Sequence, residues 1–174
     1  QLRARGYEAD LVSLPFKWHP KEEILAHAAA WRLLDLSEAN SRPVDLLIGT
    51  KFPTYFARHP RKVTWLTHQH RAAYELCGTK YSDFEHIDLD VGLRQKLMEL
   101  DRKMLEECER RFTIAKTTTQ RLERFNGVRA DPLYHPPQLA GRLRAGPYGD
   151  YVLSVGRLES IKRIDLLLKA MPDV

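Results

Sequence analysis

Short apolar runs that alternate with amphipathic stretches limit what this chain can fold into more than any other feature. VDLLIGTKFP and RKVTWLTHQH each hold a compact apolar run bounded by turn residues, and both read as buried strands. From about Asp90 to Arg111, Leu93, Leu97, Leu100, Met104 and Cys108, with Phe112 just beyond, recur at three-to-four spacing with charges between them, which predicts the longest helix. RFTIAKTTTQRLERFNGVRADPLYHPP then supplies a strand at Phe112–Ala115, a threonine-capped helix at about 118–125, an Asn-Gly turn and an extended segment closed by two prolines. Strands separated by helices must pair in parallel, because a crossover has to return the chain to the same sheet edge. The expected fold is therefore α/β, a parallel sheet with helices on both faces.

The flanks carry weaker signals. QLRARGYEADLVSLPF has the form of a helix end, a glycine stop at Gly6 and a strand from about Glu8 to Leu14, so the chain is expected to begin inside a helix. HPKEEILAHAAAWRLLDLSEANSRP places acids before Ile24, Leu25, Ala28, Trp31 and Leu34 at helical spacing, and predicts a helix that ends before Pro43. PPQLAGRLRAGPYGD is rich in proline and glycine and marks a linker. The division is a domain over 1–136, a linker over 137–149 and a second unit over 150–174. That unit, YVLSVGRLESIKRIDLLLKAM, reads as the first strand and helix of a second α/β domain. A unit shorter than about 40 residues rarely buries its own apolar faces. By itself the chain is expected to be inactive and to associate through Val152, Leu153, Leu166 and Leu167.

The 174 residues are 43% hydrophobic and 29% charged, which excludes disordered and fibrous classes. No apolar run approaches the roughly 20 residues of a membrane-spanning helix, and no signal peptide is visible, so a cytoplasmic location is expected. Cys77 and Cys108 lack the spacing of a disulfide or zinc framework and read as reduced thiols. The 28 Lys and Arg against 23 Asp and Glu leave a net charge of +5, which favours nucleic acid, an anionic membrane face or a phosphorylated substrate without choosing among them.

Two places can carry chemistry. In GRLESIK, just beyond a predicted strand, Gly156 permits close backbone approach, Arg157 offers a planar fork and Lys162 a mobile point charge. Together they suit a diphosphate; the plainer reading is two solvated cations beside a turn. In WLTHQHR, His68 follows a buried strand and can exchange a hydrogen bond with a substrate hydroxyl, or simply pack. His70 points the other way if the strand continues, and no third residue completes a metal site. Thr117, Thr118 and Thr119 read as capping residues, and the pairs Asp88/Asp90 and Glu106/Glu107 as solvated charges. There is no G-x-S-x-G elbow, no P-loop and no base beside either cysteine, so group transfer is favoured over nucleophilic hydrolysis.

VLSVGRLESIKRIDLLLKAM resembles the donor-binding segment of family 4 retaining glycosyltransferases, which have the two-domain GT-B fold: a strand, G-R-L, a lysine five residues after the arginine, and a leucine-rich helix ending in alanine. QLRARGYEADLVSLPF is similar to the end of that family's first helix and its second strand, and NGVRADPLYHPP to the strand and proline pair closing its N-terminal domain. KVTWLTHQHRAAYELCGT resembles the strand and loop carrying a histidine near the transferred sugar. The resemblance implies that Arg157 and Lys162, with Gly156, meet the donor diphosphate. It also implies that His68 contacts the donor sugar, with His70 as a less certain neighbour.

At the level of domains, the resemblance implies an acceptor-side domain and the start of a nucleotide-sugar-binding domain. The implied donor is a UDP- or GDP-type sugar, and the implied acceptor a sugar or lipid-linked sugar. Neither a metal nor another cofactor is expected, and nucleic acid is not an expected partner. Peripheral contact with the inner membrane face is compatible with the charge. Competing expectations are another GT-B enzyme, an epimerase or a phosphorylase, and a non-catalytic α/β module for anionic ligands.

Overall fold

The computed structural model describes residues 2–17, 19–137 and 139–173. The chain divides into two units, Gln1–His135 and Pro136–Val174.

The first unit is built on four parallel strands in sequence order, β3 (Leu47–Gly49), β4 (Lys62–Leu66), β5 (Arg110–Thr113) and β6 (Asp131–Pro132). They are preceded by helix α1 (Ile24–Leu33) and by a two-stranded ribbon, β1 (Glu38–Ala39) with β2 (Arg42–Pro43). Helix α2 (Asp88–Glu106) connects β4 to β5, and α3 (Lys116–Asn126) connects β5 to β6. Crossovers of this kind return the chain to the same edge, as a parallel ladder requires. The protein is thus an α/β fold with a four-stranded, Rossmann-like parallel sheet flanked by helices.

Alternation along β4 sorts its side chains. Lys62, Thr64 and Leu66 are buried under the helices, whereas Val63 and Trp65 are half-exposed on the other face. The core joins Ile24, Ala28 and Trp31 of α1, Tyr55 and Phe56 of the β3–β4 connection, Leu97 and Leu105 of α2, and Leu122 of α3. On the opposite face Ile48, Val63, Trp65, Phe112 and Leu133 line a cavity of about 460 Å³. Gly49 lets the β3–β4 connection fold back onto the strand: a Cβ there would lie 2.9 Å from the Tyr55 Cα. Gly127 ends α3 at φ 65°, and its N–H caps the Glu123 carbonyl.

Several expectations are corrected. Residues 7–17 form no strand; Leu11 is 92% exposed, and a strand persists only where a neighbour satisfies its ladder. The helix expected to end before Pro43 does so at Leu33. Asp35 then accepts hydrogen bonds from the backbone N–H and hydroxyl of Ser37, and the chain reverses through Asn40 and Ser41 at φ 52° and 59°. α3 starts at Lys116 with Ala115 before it, and no threonine side chain caps it. Thr119 instead meets Thr113 at 2.6 Å. In the second unit, helix α4 (Ile164–Ala170) forms where expected, but residues 151–155 are exposed and form no strand, since no strand pairs with them among the described residues.

Candidate functional site

Each strand of the sheet delivers its following residue to one edge, the carboxyl edge, where open α/β sheets take ligands. Beyond β3, Thr54 Oγ1 accepts from the Thr50 and Lys51 N–H groups at 2.9 and 3.3 Å and donates to the Lys51 carbonyl at 2.7 Å. This turn is tied to the next connection by the Thr67 N–H, which donates to the Thr50 carbonyl at 2.8 Å. The loop after β4 therefore leaves from a fixed point.

His68 comes directly out of that point and is half-buried. Its Nδ1 lies 2.6 Å from the Gln69 carbonyl oxygen. A carbonyl only accepts, so Nδ1 carries a proton, which leaves Nε2 as the ring atom that can accept when the imidazole carries a single proton. Gln69, the next residue, is buried to 1% exposure. Its Nε2 donates to Asn126 Oδ1 at 3.0 Å, and Asn126 Nδ2 donates to the Tyr74 hydroxyl at 3.1 Å and to the Met98 carbonyl. The Tyr74 and Tyr55 hydroxyls both donate to Asp101, at 2.5 and 2.7 Å. A buried chain of hydrogen bonds thus runs from the C-terminal third of α2 to the residue beside His68. Burial pushes the Asp101 carboxyl up to about 7, against the pull of the two tyrosine hydrogen bonds, and raises both tyrosines well above their ordinary range.

His70 is placed differently from His68. It is 7% exposed, with the rings of Phe16, Phe52 and Phe84 at centroid distances of 6.1, 5.7 and 6.1 Å. Burial lowers its pKa to about 4, Asp83 opposing and His68 adding to the shift, so the ring is neutral at pH 7. An apolar packing position explains it. Among the described residues, no three His, Cys, Asp or Glu side chains come together as metal ligands.

Gly156, Arg157 and Lys162 belong to the second unit, whereas His68 and His70 belong to the first. A Cβ on Gly156 would meet open space. Arg157 is 77% exposed and pairs through Nη1 with Glu159 Oε1 at 2.8 Å. Lys162 closes a single exposed 3-10 turn, Ser160–Lys162.

One member of each charge pair read as solvated does other work, while Asp88 and Glu106 are exposed. Asp90 is buried and accepts from Lys21 Nζ and the Glu85 N–H, each at 2.7 Å. Glu107 binds Arg32 through two contacts and Lys62 Nζ at 3.0 Å, and these cations hold its carboxyl below the usual range against partial burial. The sequence reading also missed Gln69, Asp101, Arg71, Glu75 and Arg121. For Asp101 a signal existed: it sits four residues from both Leu97 and Leu105, on the apolar stripe of α2. For Arg71 and Glu75 the signal was their four-residue spacing.

Comparison with protein-family models, with curated proteins and with solved structures gave no match. The class that stands is the α/β protein with a Rossmann-like parallel sheet. None of the described helices is long and apolar enough to cross a membrane.

Proposed function

We propose that this chain is part of a retaining glycosyltransferase of the GT-B type, moving a sugar from a UDP- or GDP-type donor to an acceptor hydroxyl. The observation that carries the reading is His68, held at the carboxyl end of β4 with its Nδ1 proton engaged by the Gln69 carbonyl and Nε2 left as an acceptor. Such a ring accepts a hydrogen bond from a sugar hydroxyl and does not act as a nucleophile. On this reading Arg157 and Lys162 neutralise charge on the leaving diphosphate, where electrostatic stabilisation of the transition state has most effect. The acceptor oxygen bonds to the anomeric carbon as the bond to the diphosphate breaks, and the departing phosphate takes the acceptor proton on the same face. No protein nucleophile enters the balance. His70, neutral and packed among three phenyl rings, takes no part in this step.

The test is sugar transfer by the protein expressed from its whole gene, with UDP-glucose or GDP-mannose as donor and release of the nucleoside diphosphate as readout. Arg157→Ala is expected to lower turnover at least about tenfold, as loss of a charge-stabilising donor does. A rate close to wild type would remove Arg157 from the proposed role.

A further inference from the structure

One charged cluster that the sugar-transfer reading does not use has more donors than its partners use. Arg71 opens the 3-10 turn Arg71–Ala73 and donates from Nε to Glu75 Oε1 at 2.5 Å. Arg121, in the second turn of α3, brings Nη1 to 3.1 Å from that same oxygen. Two guanidinium groups therefore share one carboxylate oxygen, while Oε2 of Glu75 is buried with no hydrogen-bond partner. Half the acceptor capacity of the carboxylate is unspent, and two cations face one anion.

All three side chains are partly open to solvent, the arginines more than the glutamate. The Arg71 and Arg121 side chains are 39% and 28% exposed and that of Glu75 is 20%. Each guanidinium has five N–H donors, and among the described residues neither has another hydrogen bond or ion pair beyond Glu75. Position adds to this. Arg71 and Glu75 lie on the segment leaving the carboxyl end of β4, and Arg121 on the helix that follows β5, its neighbour in the sheet.

We propose that Arg71 and Arg121 form a subsite for the phosphate group of a phosphorylated ligand, with Glu75 as the internal anion that keeps the two guanidiniums together while the subsite is empty. A phosphate can engage the unused donors of both forks at once, since it has more acceptor oxygens than a carboxylate. Glu75 competes with the ligand for these donors, so its charge weakens binding. The subsite stands on the geometry of the first unit and does not depend on the sugar-transfer reading.

The experiment follows the arginine Nε–Hε signals of the ¹⁵N-labelled protein during titration with inorganic phosphate at constant ionic strength, with chloride as the control ion. Saturable shifts are expected for Arg71 and Arg121 with phosphate and not with chloride. Arg121→Gln should weaken binding at least about tenfold, as loss of a bidentate charged donor does, and Glu75→Gln should tighten it. Arg71→Gln gives an independent second loss should Glu75→Gln fail to fold. A second arm sediments the protein with phosphatidylcholine vesicles with and without phosphatidylglycerol. Saturable phosphate shifts identify a soluble phosphate ligand. Vesicle binding that needs phosphatidylglycerol and is lost in Arg121→Gln identifies a lipid phosphate. Binding of neither, equal shifts with chloride, or a folded Glu75→Gln protein that binds phosphate no more tightly would overturn the proposal.

Discussion

His70 and Asp101 are buried titratable groups that lean in opposite directions, and replacing each should tilt the pH dependence of stability the opposite way. Burial lowers His70 from 6.5 to about 4. Between those values the unfolded chain binds a proton that the folded chain does not, so stability rises with pH by about 1.4 kcal/mol per unit, about 3 kcal/mol over the window. Asp101 is raised from 3.8 to about 7. There the folded chain keeps a proton that the unfolded chain has lost, so stability falls with pH at the same slope, by about 4 kcal/mol in all. From about pH 4 to 6.5 the two contributions nearly cancel in the wild type.

Asp101→Asn removes the falling contribution and leaves the rising one, and His70→Leu does the converse. Urea unfolding followed by tryptophan fluorescence, at half-unit steps across this range, gives the slope for each protein. The other titrating groups are common to both variants and drop out of the comparison. The two slopes should differ by about 2.7 kcal/mol per pH unit, twice the value for one proton. Asp101→Asn alone should become more stable relative to wild type as pH rises towards 7. Parallel curves would refute the argument, because both groups would then be titrating as they do in the unfolded chain.

Three further substitutions probe the frame that holds the site. Gly49→Ala puts a Cβ 2.9 Å from backbone and side-chain atoms of Tyr55, and should cost about 1–3 kcal/mol in urea unfolding. Lys62→Met removes the 2%-exposed ammonium that donates to the Tyr55 and Ala57 carbonyls and to Glu107. The loss expected from leaving buried acceptors unpaired is about 3 kcal/mol, and Glu107→Gln in addition should cost less than it does alone. Tyr74→Phe cuts the hydrogen-bond chain between Asp101 and Asn126, and should be seen as a changed His68 ring signal in NMR; an unaltered signal would mean the chain does not hold that loop.

The sheet was legible because its signals are local. Val63, Trp65 and Leu66 lie in one short apolar run, and Leu97, Met104 and Leu105 repeat at the helical period, so β4 and α2 could be placed from a few neighbouring residues each. The ribbon β1–β2 has two residues per strand, too few for an alternation to register, and its turn uses Asn40 and Ser41 rather than a glycine. Leu11, Val12, Val152 and Leu153 are apolar enough for strands, yet a strand also needs a partner edge, and no local pattern specifies one.

His68 could be found by its position after a buried strand, but what orients it could not. The residues that hold its loop are Gln69, Asn126, Tyr74 and Asp101, joined across separations of 57, 52 and 27 positions. Such a network is invisible to periodicity and becomes readable only once the parallel topology brings α2, α3 and the loop after β4 against one another. Its chemistry also explains why a carboxylate can sit in the core at all. Among the described residues Asp101 has two tyrosine hydroxyls and no cation hydrogen-bonded to it, so near neutral pH it can take up a proton instead of remaining a buried unpaired charge. The loop beside His68 is then anchored to a group whose charge changes near pH 7, while His70 in the same loop is packed so as to stay neutral there.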